Sequence, residues 1–394
     1  ARALIENGAD LEKQTKKGST ALILACQNGH EQCARALIEA KADLEKANNE
    51  GMTALLWACT NGHEQCARAL IEAGADVNAT DEADWTALMY AAQNGHEQCA
   101  RALLEAKADV HHQTNEKWTA LMWASAHGHD QCARALIEAK ADVNKANAKG
   151  FVALMHACQN GHEQCARALI ENGADLEKQQ KEGWTALMYS TQNGHDLCAR
   201  ALIENGAKIE AVENKGWTAI MFAAQNGHEQ CARALIEAKA DIEKANNNGW
   251  TPLMTACSNG HDQCARALIE KGGDVNHSSN DGRTALMQAC QNGHDQCARA
   301  LIENGADLEK QQNEGWTALM YSAQNGHEQC ARALIEKGAT VDAQLPSGHT
   351  ALMLACQNGH EQCARALIAA GTVVETQPPS AATALIHAAQ NDHA

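Results

Sequence analysis

Aromatic residues are scarce in this chain of 394 residues: eight Trp, three Tyr and two Phe, 3% of the total. With so few rings the interior has to be built from Ala, Leu, Ile, Met and Cys. Long hydrophobic runs are missing too. None approaches the ~20 apolar residues that cross a bilayer as a helix, and no secretory leader opens the chain. Positive charge is in deficit, with 32 Lys and Arg against 49 Asp and Glu and a formal net charge of −17. That balance disfavours nucleic acid and anionic membrane surfaces, both of which are held by Lys and Arg. No phosphate-binding glycine loop occurs, because apart from Gly272-Gly273 each glycine stands alone at a turn.

What is present is a period. Twelve Thr-Ala-Leu-Met-like tetrapeptides open every 33 residues, from Thr20, Thr53, Thr86 and Thr119 through Val152 and Thr284 to Thr383, and the spacing never slips. A fixed repeat of this length predicts an array in which each repeat buries its apolar face against its neighbours. In the repeat around Asp81 to Ala108, Thr86 is placed to cap a short helix running to Gln93. On the helical wheel Leu88, Ala91 and Ala92 share one side, and Met89, Tyr90, Gln93 and Asn94 point broadly the other way. Asn94-Gly95 breaks that helix, and a second is expected from His96 to Glu105, with Glu97, Arg101 and Glu105 as i,i+4 charge partners on a solvated face. Glycines such as Gly74, Gly173 and Gly305 close the second helices. Lys41, Lys107, Lys140 and Lys239 stand in that place in four repeats and would strain a left-handed cap by about 1 kcal/mol.

The Gly-Trp-Thr-Ala-Leu of Gly183 to Leu187, the Asn-Gly-His turn, the Ala-Leu-Ile-Glu of the second helix and the Gly-Ala-Asp-Val-Asn of Gly74 to Asn78 together resemble the ankyrin repeat family over essentially the whole chain. The resemblance implies an all-α solenoid, a single array over residues 1–394, with two antiparallel helices and a projecting turn per repeat and a concave face that usually binds proteins. Two departures stand out. The Pro of the family's Thr-Pro-Leu-His survives only at Pro252, and an apolar residue, from Ile23 and Leu56 through Met89 to Met353 and Ile386, replaces its His. The hydrogen bonds of that His are lost, which bears on stability rather than on fold.

The thirteen aromatics occupy two slots. The residue before the Thr is Trp85, Trp118, Phe151, Trp184, Trp217, Trp250 or Trp316, and the fourth residue after it is Trp57, Tyr90, Trp123, Tyr189, Phe222 or Tyr321. Candidate partner-binding residues are therefore Trp85, Tyr90, Trp118, Trp123, Phe151, Trp184, Tyr189, Trp217, Phe222 and Trp250, aromatic anchors among neutral amides such as Gln93, Gln225 and Asn226. The competing reading is that each Trp packs over a neighbouring turn. No catalytic residue, metal ligand or cofactor is expected. His63 to Cys66 begins like a zinc-protease helix but lacks the second His, and a nucleophile would need a base that occurs once. His111, His112, His156 and His277 look scattered.

Read as function, these features point to a non-catalytic scaffold for a peptide or protein partner. A structural spacer in a large assembly and the targeting region of a larger enzyme remain as alternatives. The chain opens within a second helix and stops where another would begin, so it reads as a piece of a longer polypeptide. Cys165 to Ser190 nearly duplicates Cys297 to Ser322, which suggests copied blocks.

Eleven of the 17 cysteines recur in register from Cys33 to Cys363. Neighbouring helices pack ~8–10 Å apart, beyond the ~7 Å limit between disulfide Cα atoms, so this ladder stays reduced and fits a cytoplasmic setting. Denatured without reductant, the protein should yield all 17 thiols to a thiol reagent. A much lower yield would mean disulfides or bound metal.

Overall fold

A computed structural model describes residues 1–376 and 382–391. Its contacts divide into two compact blocks, residues 1–190 with 197–208, and residues 191–196 with 209–394. Each block is a stack of helix pairs. In the first the pairs run from Ala21–Gln27 with Glu31–Glu39 to Ala153–Asn160 with Glu163–Glu171. In the second they run from Ala219–Asn226 with Glu229–Glu237 to Ala351–Gln357 with Glu361–Ala369. No helix among the described residues is long and apolar enough to cross a membrane.

Capping follows the sequence. The Thr86 hydroxyl accepts from Met89 N–H and the Thr119 hydroxyl from Met122 N–H, while Val152 has no side chain to offer. Gly95 ends its helix at φ +75°, in the left-handed region. The observed helices, Ala87–Asn94 and Glu97–Glu105, lie within a residue of the expected ends. Lys41, Lys107, Lys140 and Lys239 do keep the glycine-like backbone, at φ +64° to +69°, and Asp84 and Lys117 do the same at φ +67° and +60° in the turns before Trp85 and Trp118.

One face assignment changes. Met89, placed by the wheel beside Tyr90 on the outer side, is 1% exposed. The first helices pack on their counterparts in both adjacent repeats, so Ala87–Asn94 is covered by Ala54–Thr60 on one side and Ala120–His127 on the other. A helix flanked on both sides buries far more of its circumference than a single stripe. From Ile23 to Met353 the family His is thus replaced by a packed thioether or aliphatic chain, while Ile386 is 41% exposed.

Cysteines pair in a way that register alone hides. All 17 are free, but the Cys26 thiol of one first helix meets Cys66 on the next repeat's second helix. Cys59 with Cys99, Cys158 with Cys198, Cys257 with Cys297, and Cys290 with Cys330 repeat the contact. The neighbouring thiol and burial push Cys59 well above the ordinary thiol range. Cys132, Cys264 and Cys363, which have no Cys at that point of the first helix, turn to a carbonyl, Cys132 to Ala91 O at 3.9 Å.

The backbone strain at the lysines is testable. A left-handed non-glycine residue costs about 1–2 kcal/mol, part of which glycine gives back through its unfolded-state entropy. Lys107→Gly and Lys140→Gly should each stabilise the chain by about 0.5–1 kcal/mol in urea titrations, whereas Lys149→Gly, at a residue with negative φ, should not.

A candidate partner-binding face

The slot before each Thr is set by the projecting turn. In the repeat of Trp85, Asp81 N–H donates to Trp85 O at 3.1 Å and Asp81 Oδ1 accepts from Trp85 N–H at 2.9 Å. Thr114 holds Trp118 and Asn147 holds Phe151 by the same two bonds. The ring is thereby aimed at the first helices, where the residue four positions beyond the Thr comes up to meet it.

In the first block these rings form one zigzag. Trp85 lies 5.0 Å from Tyr90 of its own repeat and 4.6 Å from Trp123 of the next, measured between ring centroids. Trp118 lies 4.1 Å from Trp123 and 4.4 Å from His156. Phe151 follows at 5.1 Å from His156 and 5.3 Å from Tyr189, and Trp184 closes on Tyr189 at 5.0 Å. Trp85, Trp118 and Phe151 are therefore each clasped by two rings from consecutive first helices. Such pairs contribute about 0.5–1.5 kcal/mol each beyond area burial.

The two slots differ in depth. Trp85, Trp118, Phe151 and Trp184 are half-buried, while Tyr189 is 7% exposed. Tyr90 and Trp123 keep part of their surface, and the Tyr90 hydroxyl donates to Asp81 Oδ2 at 2.5 Å. Burial, followed by that carboxylate, pushes the Tyr90 phenol above its usual range. In the second block Trp217 and Trp250 are half-buried, Trp217 stacks 5.3 Å from Phe222, and Phe222 is 5% exposed. Tyr189 and Phe222 thus form the floor beneath the outer rings and have little surface to give a partner, contrary to the expectation that both slots face outward.

Two residues of this face escape a search for aromatic letters. His156 takes the helix slot four residues after Val152, stacked between Trp118 and Phe151, and Arg283 takes the slot before Thr284. The Arg283 guanidinium lies 5.6 Å from the Tyr321 ring centroid, donates to Gln291 Oε1 at 2.9 Å and pairs with Asp281 at 3.0 Å. An arginine here continues the ring stack by a cation–π contact. Slot register was the signal that identifies both.

Among the described residues no group of three or more His, Cys, Asp or Glu is placed to hold a metal. The acidic second-helix faces are internally paired. Arg101 bridges Glu97 of its own helix at 2.8 Å and Glu138 of the next repeat at 3.1 Å, and Arg68 does the same with Glu64 and Glu105.

A family model described as ankyrin repeats in three copies matches residues 1–81, 79–147, 141–213, 209–279, 272–345 and 339–394. The chain belongs to the ankyrin repeat family. It is similar to the crystal structure of the human ASB11 ankyrin repeat domain, at 28% identity and a TM-score of 0.53, over 57% of this chain and 99% of that one. No curated protein matches the chain. Ankyrin repeats are generally protein–protein interaction modules and generally non-catalytic.

Burial lowers the His156 imidazole to about 4 from an ordinary 6.5, with the nearby His127 adding to the effect. Its Nε2 is buried without a partner. The folded state therefore resists a proton that the unfolded chain accepts, so stability is full above pH ~6.5 and falls as the pH drops towards 4, by about 3 kcal/mol in the limit. His156→Tyr, which restores the ring of the neighbouring slots, should remove that loss from urea titrations between pH 7 and 4. Parallel curves for the two proteins would refute the assignment.

Proposed function

We propose that the chain is a non-catalytic scaffold that engages a protein or peptide through the outer rings of the first block, Trp85, Trp118, Phe151 and Trp184. Trp217 and Trp250 offer the same chemistry in the second. The observation that carries this reading is the arrangement of the slots: one half-buried ring per repeat, held from below by a second ring and from the side by its own turn. Rigid aromatic groups with an exposed edge are the anchors that dominate interfaces, because binding them costs little conformational entropy. Tyr90, Trp123, Tyr189 and Phe222 act beneath them as supports. The paired Glu and Arg of the second helices contribute solubility. A net charge of −17 directs the scaffold to proteins rather than to nucleic acid. The free thiols suit the cytoplasm.

A structural spacer is the second reading, and one observation favours it. Trp118 already has a ring on either side, so the zigzag stiffens the array whether or not a partner is bound.

The two readings separate by site-specific photo-crosslinking of the folded chain. A photoreactive phenylalanine analogue at position 118 or 184 should capture one partner from native lysate, and the same analogue at Glu97 or Glu163 should not. With that partner purified, Trp118→Ala and Trp184→Ala should each weaken binding by at least about thirtyfold at a temperature where the variant is folded. A loss of melting temperature with unchanged affinity would leave the rings as packing and support the spacer.

A further inference from the structure

The ring zigzag has a gap. Ser19 occupies the slot before Thr20, and its backbone is held as the tryptophans are, with Thr15 N–H donating to Ser19 O at 3.0 Å and Ser19 N–H donating to Thr15 Oγ1 at 3.2 Å. The slot is built, but no ring fills it. In its place is a cleft of about 440 Å³ walled by Leu24 of the same repeat and Trp57 of the next, the two residues that a ring at position 19 would touch. The volume falls within the range of ligand sites.

We propose that this cleft is a docking site for a partner's aromatic side chain, Trp foremost, carried on an acidic segment. The chain itself supplies the precedent for the ring: Trp85 inserts between Tyr90 and Trp123 from the equivalent position, and Trp118 between Trp123 and His156. A partner ring between Leu24 and Trp57 would reproduce that contact between molecules instead of within one. Gln27 lines the same cleft, where its counterpart Gln291 accepts from Arg283, so an indole N–H has an amide oxygen within the site. Charge selects the flanks. Lys16 and Lys17 both line the cleft, both are exposed, and neither has an ion-pair partner among the described residues. Glu50 offsets one of them, leaving a net positive rim on a chain whose overall charge is −17. Asp or Glu beside the inserted ring would meet those ammonium groups, and basic partners would be turned away.

The probe is a fluorescein-labelled ten-residue Gly/Ser peptide with one central Trp flanked by Asp on each side, followed by fluorescence anisotropy with the full chain. It should bind saturably, and at least about thirtyfold more weakly when its Trp is replaced by Ala. Ser19→Trp should fill the cleft from within, raise the melting temperature and abolish probe binding while leaving Trp85 to Trp184 in place. Lys16→Glu with Lys17→Glu, both exposed, should weaken the probe about tenfold and reverse its preference over a Lys-flanked peptide. The proposal is overturned by no saturable binding, by equal binding of the Ala peptide, or by a Ser19→Trp chain that is destabilised or still binds. Insensitivity to the lysine reversal overturns the acidic partner. None of these results bears on crosslinking at position 118, so this site and the outer-ring face stand or fall separately.

Discussion

The array depends on one contact that crosses from each repeat to the one before it. The ring of His96 reaches back so that Nε2 lies 3.0 Å from Thr60 O, and His63, His261 and His327 make the same contact with Gln27, Gln225 and Gln291. A carbonyl can only accept, so Nε2 carries a proton. The other edge of the ring lies on the preceding turn. A Cβ added to Gly62 would sit 2.4 Å from His96 Nδ1, and one added to Gly95 would sit as close to His129. The turn glycine is therefore required twice, for its positive φ and for the space its missing side chain leaves. Inserting or deleting one residue would break both halves of the contact, which accounts for a period that never slips.

A second ladder fixes the loops. Asp76 N–H donates to Glu45 Oε1 and Asp109 N–H to Asn78 Oδ1 in the first block, and Asp274 N–H donates to Glu243 Oε1 in the second. Loop and turn are thus both tied to the preceding repeat, so the slot before each Thr recurs at one height and angle whatever side chain it carries. That independence of slot from occupant is why rings, Arg283 and Ser19 are tolerated at equivalent points. The geometry of the face is inherited from backbone and imidazole, and its chemistry is left to vary.

Features confined to one repeat were legible in the sequence. Thr caps, the Asn-Gly break, both helix spans and the positive φ of Lys107 follow from local rules that need no neighbour. Features made by two repeats were not. Met89 looked outward because a wheel has no second repeat to press against it, and Tyr189 and Phe222 looked available because the ring that covers them belongs to another slot. The thiol pairs join different positions of successive repeats, 40 residues apart in Cys26 and Cys66, while the period draws the eye to equal positions. His156 looks scattered along the sequence although its slot register places it among the rings. His112 and His277 look scattered too, yet each bonds a carbonyl of the preceding repeat, Asp84 O and Gly249 O. A comparison of each repeat with its successor, slot by slot, exposes the histidine substitution, as it does Arg283 where that residue interrupts the run of rings. The depth of the helix slot required the packing itself.

The variation along the chain points the same way as the geometry. The second helix reads Cys-Ala-Arg-Ala-Leu with hardly a change, and the turn His recurs from His30 to His360. Those residues make the interfaces between repeats, where a change is felt on two sides at once. The slot before the Thr passes from Ser19 and Met52 through Trp85, Phe151 and Arg283 to His349, and the helix slot from Leu24 through Tyr90 and His156 to Gln288. The near-duplicate stretches Cys165 to Ser190 and Cys297 to Ser322 keep both slots, as Trp184 and Trp316 with Tyr189 and Tyr321, but elsewhere the slots diverge. Their divergence within an otherwise repetitive chain means that the stacking tolerates change there, and it confines any difference in what the repeats recognise to the face formed by the two slots and the turns that hold them.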